Sequence, residues 1–188
     1  MFLIIGLGNP GGEYKNTRHN VGIIILDDIN GKNDWQKSSK GKTLYFKQNV
    51  GSEEAEYLKP QTFMNNSGFS VAYARKKHDI LPENIIVIHY DIDFPLGKVR
   101  ISYDRGDGGH NGVKSIMEHL DSKSFIRIRV GVSILDNNNV MRKPNVLGNF
   151  SKIELSLIEK EIVPRINSII KTIIDEGLPA TMNKWNTT

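Results

Sequence analysis

The amino-terminal stretch MFLIIGLGNPGG, residues 1–12, decides the fold. Its first five residues are apolar, and glycine and proline then punctuate the chain, so residues 1–7 are predicted to form a buried first strand. A loop to about residue 20 is expected to follow. Open α/β sheets carry their chemistry in loops at the carboxyl ends of the strands, so this loop is a candidate functional segment.

Strand and helix patterns alternate along the rest of the chain. Residues 44–49 and 55–59 are predicted to form a hairpin around Gly51 and Ser52. Further strands are predicted at 85–88, 98–103 and 125–132, and helices at 22–29, 66–78 and 112–120. This order predicts one α/β domain over residues 1–188, with a central mixed, mostly parallel twisted sheet flanked by helices.

The carboxyl-terminal third has weaker signals at its start and stronger ones at its end. Residues 136–149 are rich in asparagine and are predicted to form a long loop, either a lid or plain surface disorder. Ser151 and Glu154 match a capping box. A helix is predicted behind them, kinked at Pro164 and stopped at Gly177.

Composition excludes some chemistry and permits other kinds. The chain has no cysteine, so thiolate nucleophiles, cysteine-based zinc sites and disulfides are excluded. No stretch approaches the roughly 18 apolar residues of a membrane span, and no signal peptide is evident, so a cytoplasmic protein is predicted. The formal charge of +4 permits a phosphate-rich partner if the positive charge gathers on one face.

The glycine pattern of residues 6–11, GLGNPG, satisfies the GxGxxG motif of dinucleotide-binding proteins. In that motif the third glycine opens a helix, and an acidic residue about 20 positions later ends a second strand. Here Pro10 and Gly11 predict a turn, and Asp27 and Asp28 lie within a helical pattern. A nucleotide-dependent oxidoreductase is therefore the weaker alternative.

The segment TRHN, residues 17–20, is the second candidate motif. Histidine is the usual general base near neutral pH, although a lone histidine such as His19 often only caps a helix or bonds to the backbone. Asn9, Asn65 and Asn111 lie in loops that one sheet edge could bring together with it. Amide side chains donate and accept hydrogen bonds, which suits a substrate with peptide groups, but each asparagine alone is also typical of caps and turns.

Five segments in this order and spacing resemble the bacterial-type peptidyl-tRNA hydrolases. They are GLGNPGGEYKNTRHNVG, KPQTFMNNSG, IDFPLGK, GGHNGVKSI and FIRIRVGV. The similarity covers residues 1–132 and resumes at VLGNF and ATMNKWN. The resemblance implies hydrolysis of the ester between a peptide and the 3′ end of tRNA, with no cofactor and no metal. A compact domain of this kind can act as a monomer without an obligate protein partner.

The resemblance also implies roles for single residues. His19 is expected to activate water against the ester carbonyl, and Asn9 to distinguish blocked from unblocked aminoacyl-tRNA. Positions expected to contact the tRNA end or the peptide are Tyr14, Phe63, Asn65 and Asn111. Basic residues expected to hold tRNA phosphates are Arg100 and Arg129, with Lys98 and Lys114 as weaker candidates that are equally typical of solvated surface charges.

One position departs from the family pattern. The family has an aspartate supporting its histidine where HYDIDFPLG places Tyr90, and Asp91 stands next to it. Adjacent side chains of a regular strand point to opposite faces, so Asp91 could take over only if the chain bulges or ends there. Two expectations stay open: Asp91 supports His19, which is favoured, or Tyr90 orients it through its hydroxyl. Tyr90 also leaves open a noncatalytic RNA-binding module.

Overall fold

A computed structural model of the chain describes residues 1–136 and 138–186, which build an eight-stranded sheet. The strands are β1 (Phe2–Gly6), β2 (Gln36–Ser38), β3 (Thr43–Val50), β4 (Glu53–Pro60), β5 (Ile85–Pro95), β6 (Val99–Tyr103), β7 (Ile126–Leu135) and β8 (Met141–Arg142). They lie in the order β2-β3-β4-β1-β5-β7-β6, with β8 paired to β7. The amino-terminal strand is thus central, as its apolar run predicts.

The sheet is mixed, with a parallel centre. β4, β1, β5 and β7 are parallel neighbours, whereas β2, β3, β6 and β8 add antiparallel pairings at the margins. This confirms the predicted fold class, including the hairpin, in which Gly51 has a positive φ of 61°. β5 is longer than the predicted strand 85–88, because backbone pairing with β7 carries it past its apolar residues to Asp91.

Helices cover both faces of the sheet because its central strands alternate their side chains. The helices are α1 (Val21–Asn30), α2 (Ser67–His78), α3 (Asn111–Leu120), α4 (Lys152–Leu157), α5 (Val163–Glu176) and α6 (Leu178–Trp185). Ile4 of β1 packs in the core shared with α1 and α5, while Leu3 and Ile5 pack in the core shared with α2 and α3. The sheet is therefore buried on both sides, as parallel sheets are.

The carboxyl-terminal helices follow the predicted signals with one difference. Ser151 and Glu154 form a capping box at the start of α4. A π-helical segment, Ile158–Ile162, then leads into α5, and Pro164 occupies the first turn of α5. Proline lacks the N–H that a helix interior needs, so the irregularity falls before Pro164 and α5 starts afresh around it. The helix ends before Gly177, as predicted.

The predicted loop at 136–149 is more ordered than its composition indicates. Asp136 accepts hydrogen bonds from the backbone of Asn138 and Val140, and β8 pairs back onto β7. Asn137, part of the asparagine run, lies outside the described residues, as do the last two residues of the predicted domain. In the described part of the chain, no helix combines the length and apolar character that crossing a bilayer requires.

Candidate functional site

His19 lies beyond the carboxyl end of β1, in a 3-10 turn formed by Arg18–Asn20. The segment 146–150 holds this turn by backbone hydrogen bonds. Val146 O accepts from His19 N at 2.8 Å, and Gly148 O accepts from Arg18 N at 3.1 Å. The last residues of the predicted loop 136–149 therefore lie beside His19. We call residues 146–150 the strap.

Asn9 is clamped to the residue that follows the histidine. The Asn20 amide accepts from Asn9 N and donates to Asn9 O, each at 2.8 Å. The Asn9 side chain in turn accepts from Met64 N through Oδ1 at 2.8 Å. With Oδ1 occupied, the amide nitrogen Nδ2 remains as the donor that Asn9 can offer to a ligand.

The imidazole of His19 is 9% exposed and packs against Tyr90, with ring centroids 5.2 Å apart. Its Nδ1 atom is enclosed without a hydrogen-bond partner, whereas Nε2 is not enclosed. Burial lowers the pKa of His19 below its ordinary value. The ring is therefore mostly neutral near pH 7, and in the tautomer that carries its proton on Nδ1 it can accept a proton at Nε2.

Two further imidazoles continue this group of rings. Tyr90 lies 4.4 Å from His110, and His110 lies 4.6 Å from His89, measured between centroids. Nδ1 of His110 caps α3 by accepting from Gly112 N and Val113 N, so its proton is assigned to Nε2. Burial lowers the pKa of His110 well below its ordinary value and that of His89 to about 3. Both rings are neutral at physiological pH.

Asp91 is directed away from the histidine. Its Oδ2 accepts from the Arg129 guanidinium at 2.7 Å, and its Oδ1 accepts from Asp93 N at 2.8 Å. Asp91 still pairs in register with Gly131 of β7, and the register shift comes only after it. The strand is therefore still regular there, and adjacent residues point apart. Within the described chain, no hydrogen bond joins Asp91 or the Tyr90 hydroxyl to His19, so neither expected mode of support is present.

A cavity of about 530 Å³ opens beside the ring group. Tyr90, His89 and His110 are among its lining residues, whereas His19 and Asn9 are not. Its charged lining residues are Arg105, Arg127, Arg129, Lys143, Asp91, Asp93 and Asp107. Arg127 and Arg129 share this lining, which confirms that their alternation puts them on one face. With more cations than carboxylates, the cavity suits an anionic ligand.

The other predicted site residues are spread around this centre. Phe63 is 59% exposed, Tyr14 is half-buried, and Asn65 and Asn111 are exposed at the starts of their helical segments. The loops that carry Asn65 and Asn111 meet at Gly112. A Cβ atom added to Gly112 would lie within 3.2 Å of both Met64 and His110, so the two loops are in close contact there. Of the four predicted basic contacts, Arg129 lines the cavity. Lys98, Arg100 and Lys114 are not among its lining residues.

Sequence reasoning missed Arg18 and Asn20, although both stand in the TRHN segment. Arg18 is 4% exposed; its guanidinium donates to Val132 O at 3.1 Å and to Glu154 at 2.7 Å. The ring of Phe150 lies 4.7 Å from it. The signal for Asn20 was its amide beside a histidine, but nothing local indicates that its partner is Asn9.

The glycine motif does not build a dinucleotide site. Gly11 has a φ of 115°, which any L side chain would adopt only with strain, and a 3-10 turn follows it. The first α-helix begins only at Val21, so the third glycine, Gly11, does not open a helix as the dinucleotide motif requires. Among residues 1–136 and 138–186, no group of three or more His, Asp or Glu side chains is placed to hold a metal ion.

The fold and the site together define a single-domain α/β enzyme in which a neutral imidazole is followed in the chain by the residue that clamps Asn9. The family model described as peptidyl-tRNA hydrolase matches residues 3–188. The chain belongs to that family.

Its relatives agree over nearly the whole length. The peptidyl-tRNA hydrolase of Clostridium botulinum (strain Hall) is 43% identical over 187 residues, covering 99% of this chain and 97% of the relative. That of Clostridium acetobutylicum is 42% identical over 99% of this chain and 98% of its own. The crystal structure of peptidyl-tRNA hydrolase from Acinetobacter baumannii superposes with a TM-score of 0.85 at 32% identity, covering 99% and 94% of the two chains.

Proposed function

We propose that this chain hydrolyses the ester bond between peptide and tRNA in peptidyl-tRNA, with His19 as general base on a water molecule and without a metal ion. The observation that carries the proposal is the imidazole with its open Nε2 atom, next in the chain to the residue that clamps Asn9. Family membership and the names of the relatives supply the substrate class.

The chemistry needs few groups. Nε2 of His19 takes a proton from water as the water oxygen attacks the ester carbonyl, and the imidazolium returns that proton to the ribose oxygen as the ester C–O bond breaks. Asn9 would use Nδ2 to polarise the carbonyl or to bind the neighbouring peptide group, since its Oδ1 already accepts from Met64 N. No covalent nucleophile is required, in keeping with the absence of cysteine.

Asn9 also gives a reason for rejecting ordinary aminoacyl-tRNA. A peptide nitrogen is neutral, whereas a free α-amino group near neutral pH is mostly ammonium. An ammonium group brought against a neutral amide would lose hydration without gaining an anionic partner. The site therefore favours substrates whose α-nitrogen is acylated.

The tRNA end would be held by stacking and by charge. Phe63, 59% exposed, and Tyr14 offer aromatic faces to terminal bases or to the acyl chain, and Asn65 and Asn111 offer amide hydrogen bonds. Arg129 and the cavity beside it would take phosphate groups, with Arg100 directly opposite Arg129 across the β6–β7 pairing. Lys98 and Lys114 would contribute at the margin.

The cellular location, the oligomeric state and the metal independence of the enzyme can each be stated. We propose that the enzyme acts in the cytoplasm, where its substrate arises, and that it acts as a monomer, because one compact domain carries every residue assigned a role above. Analytical ultracentrifugation should give the mass of a single chain, 21.2 kDa. Hydrolysis after treatment with a chelating agent should proceed at the rate of the untreated protein, and a loss restored by added metal would contradict the metal-independent mechanism.

The central test separates catalysis from binding. His19→Ala should lower kcat for N-acetyl-aminoacyl-tRNA by about 10²–10⁴-fold, since it removes the base, while tRNA affinity stays within a few-fold. His119→Ala, which removes an exposed imidazole from α3, is the matched control. Equal losses of rate and affinity in His19→Ala would contradict the assigned role. Binding by the wild type without any hydrolysis would favour the noncatalytic RNA-binding module.

A further inference from the structure

The contact between Tyr90 and His19 is the basis of the inference. Tyr90 lies between two imidazoles, 5.2 Å from His19 and 4.4 Å from His110. The two ring pairs are tilted, at 39° and 42°, which is a usual geometry of aromatic packing. The side chain of Tyr90 thus fills the space against one side of the His19 ring.

In the part of the chain that the structure describes, no carboxylate pairs with the ring of His19. The titratable groups that face His19 are Tyr90 on β5 and His110 at the start of α3, while the strap 146–150 contributes backbone carbonyls to its turn. Arg18, next to it in the chain, is directed to Glu154. Asp91 is held by Arg129, on the opposite side of the strand. Within the described residues, His19 has neither an ion pair nor a hydrogen bond to any acid.

We propose that Tyr90 is a positioning residue that orients His19 by ring packing alone, so that the base works without a carboxylate partner. Removing the ring would free rotation of the imidazole about its side-chain bonds, and misorientation of a base is costly because proton transfer needs hydrogen-bond geometry. The hydroxyl, which makes no bond to Nδ1, is not the orienting group.

A histidine base without a carboxylate partner should lose activity only at a relatively low pH. A carboxylate near an imidazole stabilises the imidazolium and raises its pKa, whereas burial without one lowers it. Burial is the cause that lowers the pKa of His19 here. Because the neutral ring is the active form, the acid limb of the pH–rate profile should lie below about pH 6.5, the ordinary histidine value. An acid at position 90 should move that limb to higher pH.

The first experiment titrates the imidazole of His19 directly by NMR, using His19→Gln to assign its signal. The wild-type ring should titrate below pH 6.5. In Tyr90→Asp its pKa should rise by about one unit or more, the usual effect of an adjacent opposite charge. Ser39→Asp, which adds the same charge at an exposed position near the far edge of the sheet, should leave it unchanged.

The second experiment, which rests on the proposed function, measures hydrolysis of N-acetyl-aminoacyl-tRNA. Tyr90→Ala should lower kcat about tenfold or more with little change in KM, because the ring orients the base, while the cations of the cavity that it lines are left in place. Tyr90→Phe should recover most of that loss, and Tyr90→Asp should shift the acid limb of kcat/KM upward with the NMR pKa. Circular dichroism would identify variants that fail to fold.

Three results would overturn the inference. They are a wild-type His19 that titrates above pH 6.5, a Tyr90→Phe variant as impaired as Tyr90→Ala, and a Tyr90→Asp variant with an unmoved pKa. If the wild type hydrolyses nothing, the proposed function fails, but the titration still decides whether His19 lacks an acidic partner.

Discussion

Tyr90 and Asp91 are adjacent in β5, and their side chains make different contacts on opposite sides of the strand. Tyr90 packs on His19, while Asp91 accepts a hydrogen bond from Nε of Arg129 and forms an ion pair with the same guanidinium. A carboxylate fixed in this way orients the arginine at the cavity wall and partly offsets its charge. The pair therefore lowers the net positive charge that Arg129 presents to the cavity.

The contribution of Arg129 to tRNA binding can be measured by salt dependence. Arg129→Ala should weaken binding and reduce the slope of log K against log salt by about 0.7–0.9, the value of one lost phosphate contact. Arg100→Ala should act in the same direction. Lys37→Ala, which removes an exposed lysine from β2 at the far edge of the sheet, is the control. An unchanged slope would remove that arginine from the phosphate path.

At the scale of elements, the histidine turn depends on distant parts of the chain. The strap 146–150 bonds its backbone, and Arg18 ties it to β7 and to the first turn of α4. Glu154 serves two purposes, since it completes the capping box and accepts from Arg18. A turn of three residues has little stability of its own, so these contacts determine where His19 lies.

Glu154→Gln should therefore destabilise the protein. The amide can still cap α4, but it leaves the buried guanidinium of Arg18 without its anionic partner, at a cost of about 1–2 kcal/mol in the free energy of unfolding by urea. The same substitution at Glu54, whose pair with Lys47 is exposed, should leave the stability unchanged. Equal effects at the two positions would show that burial of Arg18 is unimportant.

At the scale of the whole molecule, folding buries two imidazoles. His89 lies on the central strand β5, and His110 lies at the start of α3, which packs on the sheet. His89 is 3% exposed and His110 is 6% exposed. Burial holds the folded-state pKa of each below the ordinary value, so the unfolded chain binds more protons than the folded chain in the acidic range. Stability must then fall as the pH falls through that range.

His89 gives a specific test of this linkage. Between pH 6.5 and its folded pKa of about 3, His89 should cost about 1.4 kcal/mol of stability for each unit of acidification. Urea unfolding of His89→Gln should therefore show a shallower loss of stability with acid than the wild type. The carboxylates change the stability of the wild type and of His89→Gln equally. If the free energy of unfolding falls with acid at the same slope in both proteins, His89 is not buried in its neutral form.

The sequence by itself determined the elements and much of the site. The apolar run of residues 1–7, the hairpin at Gly51 and the capping box at Ser151 are local signals, and each formed as predicted because short-range sterics and hydrogen bonds decide them. The TRHN segment and the loop of Asn9 likewise met where the carboxyl end of a central strand places them.

Only the tertiary structure decided how these residues pair. Asp91 was favoured as the partner of His19, but the register of β5 with β7 turns it to Arg129 and leaves Tyr90 at the imidazole. Asn20 found Asn9, and Arg18 found Glu154, 136 positions away. Which side chains pair depends on their distance and direction after the chain has packed. A shift of one residue in strand register turns each side chain of the strand to the opposite face of the sheet.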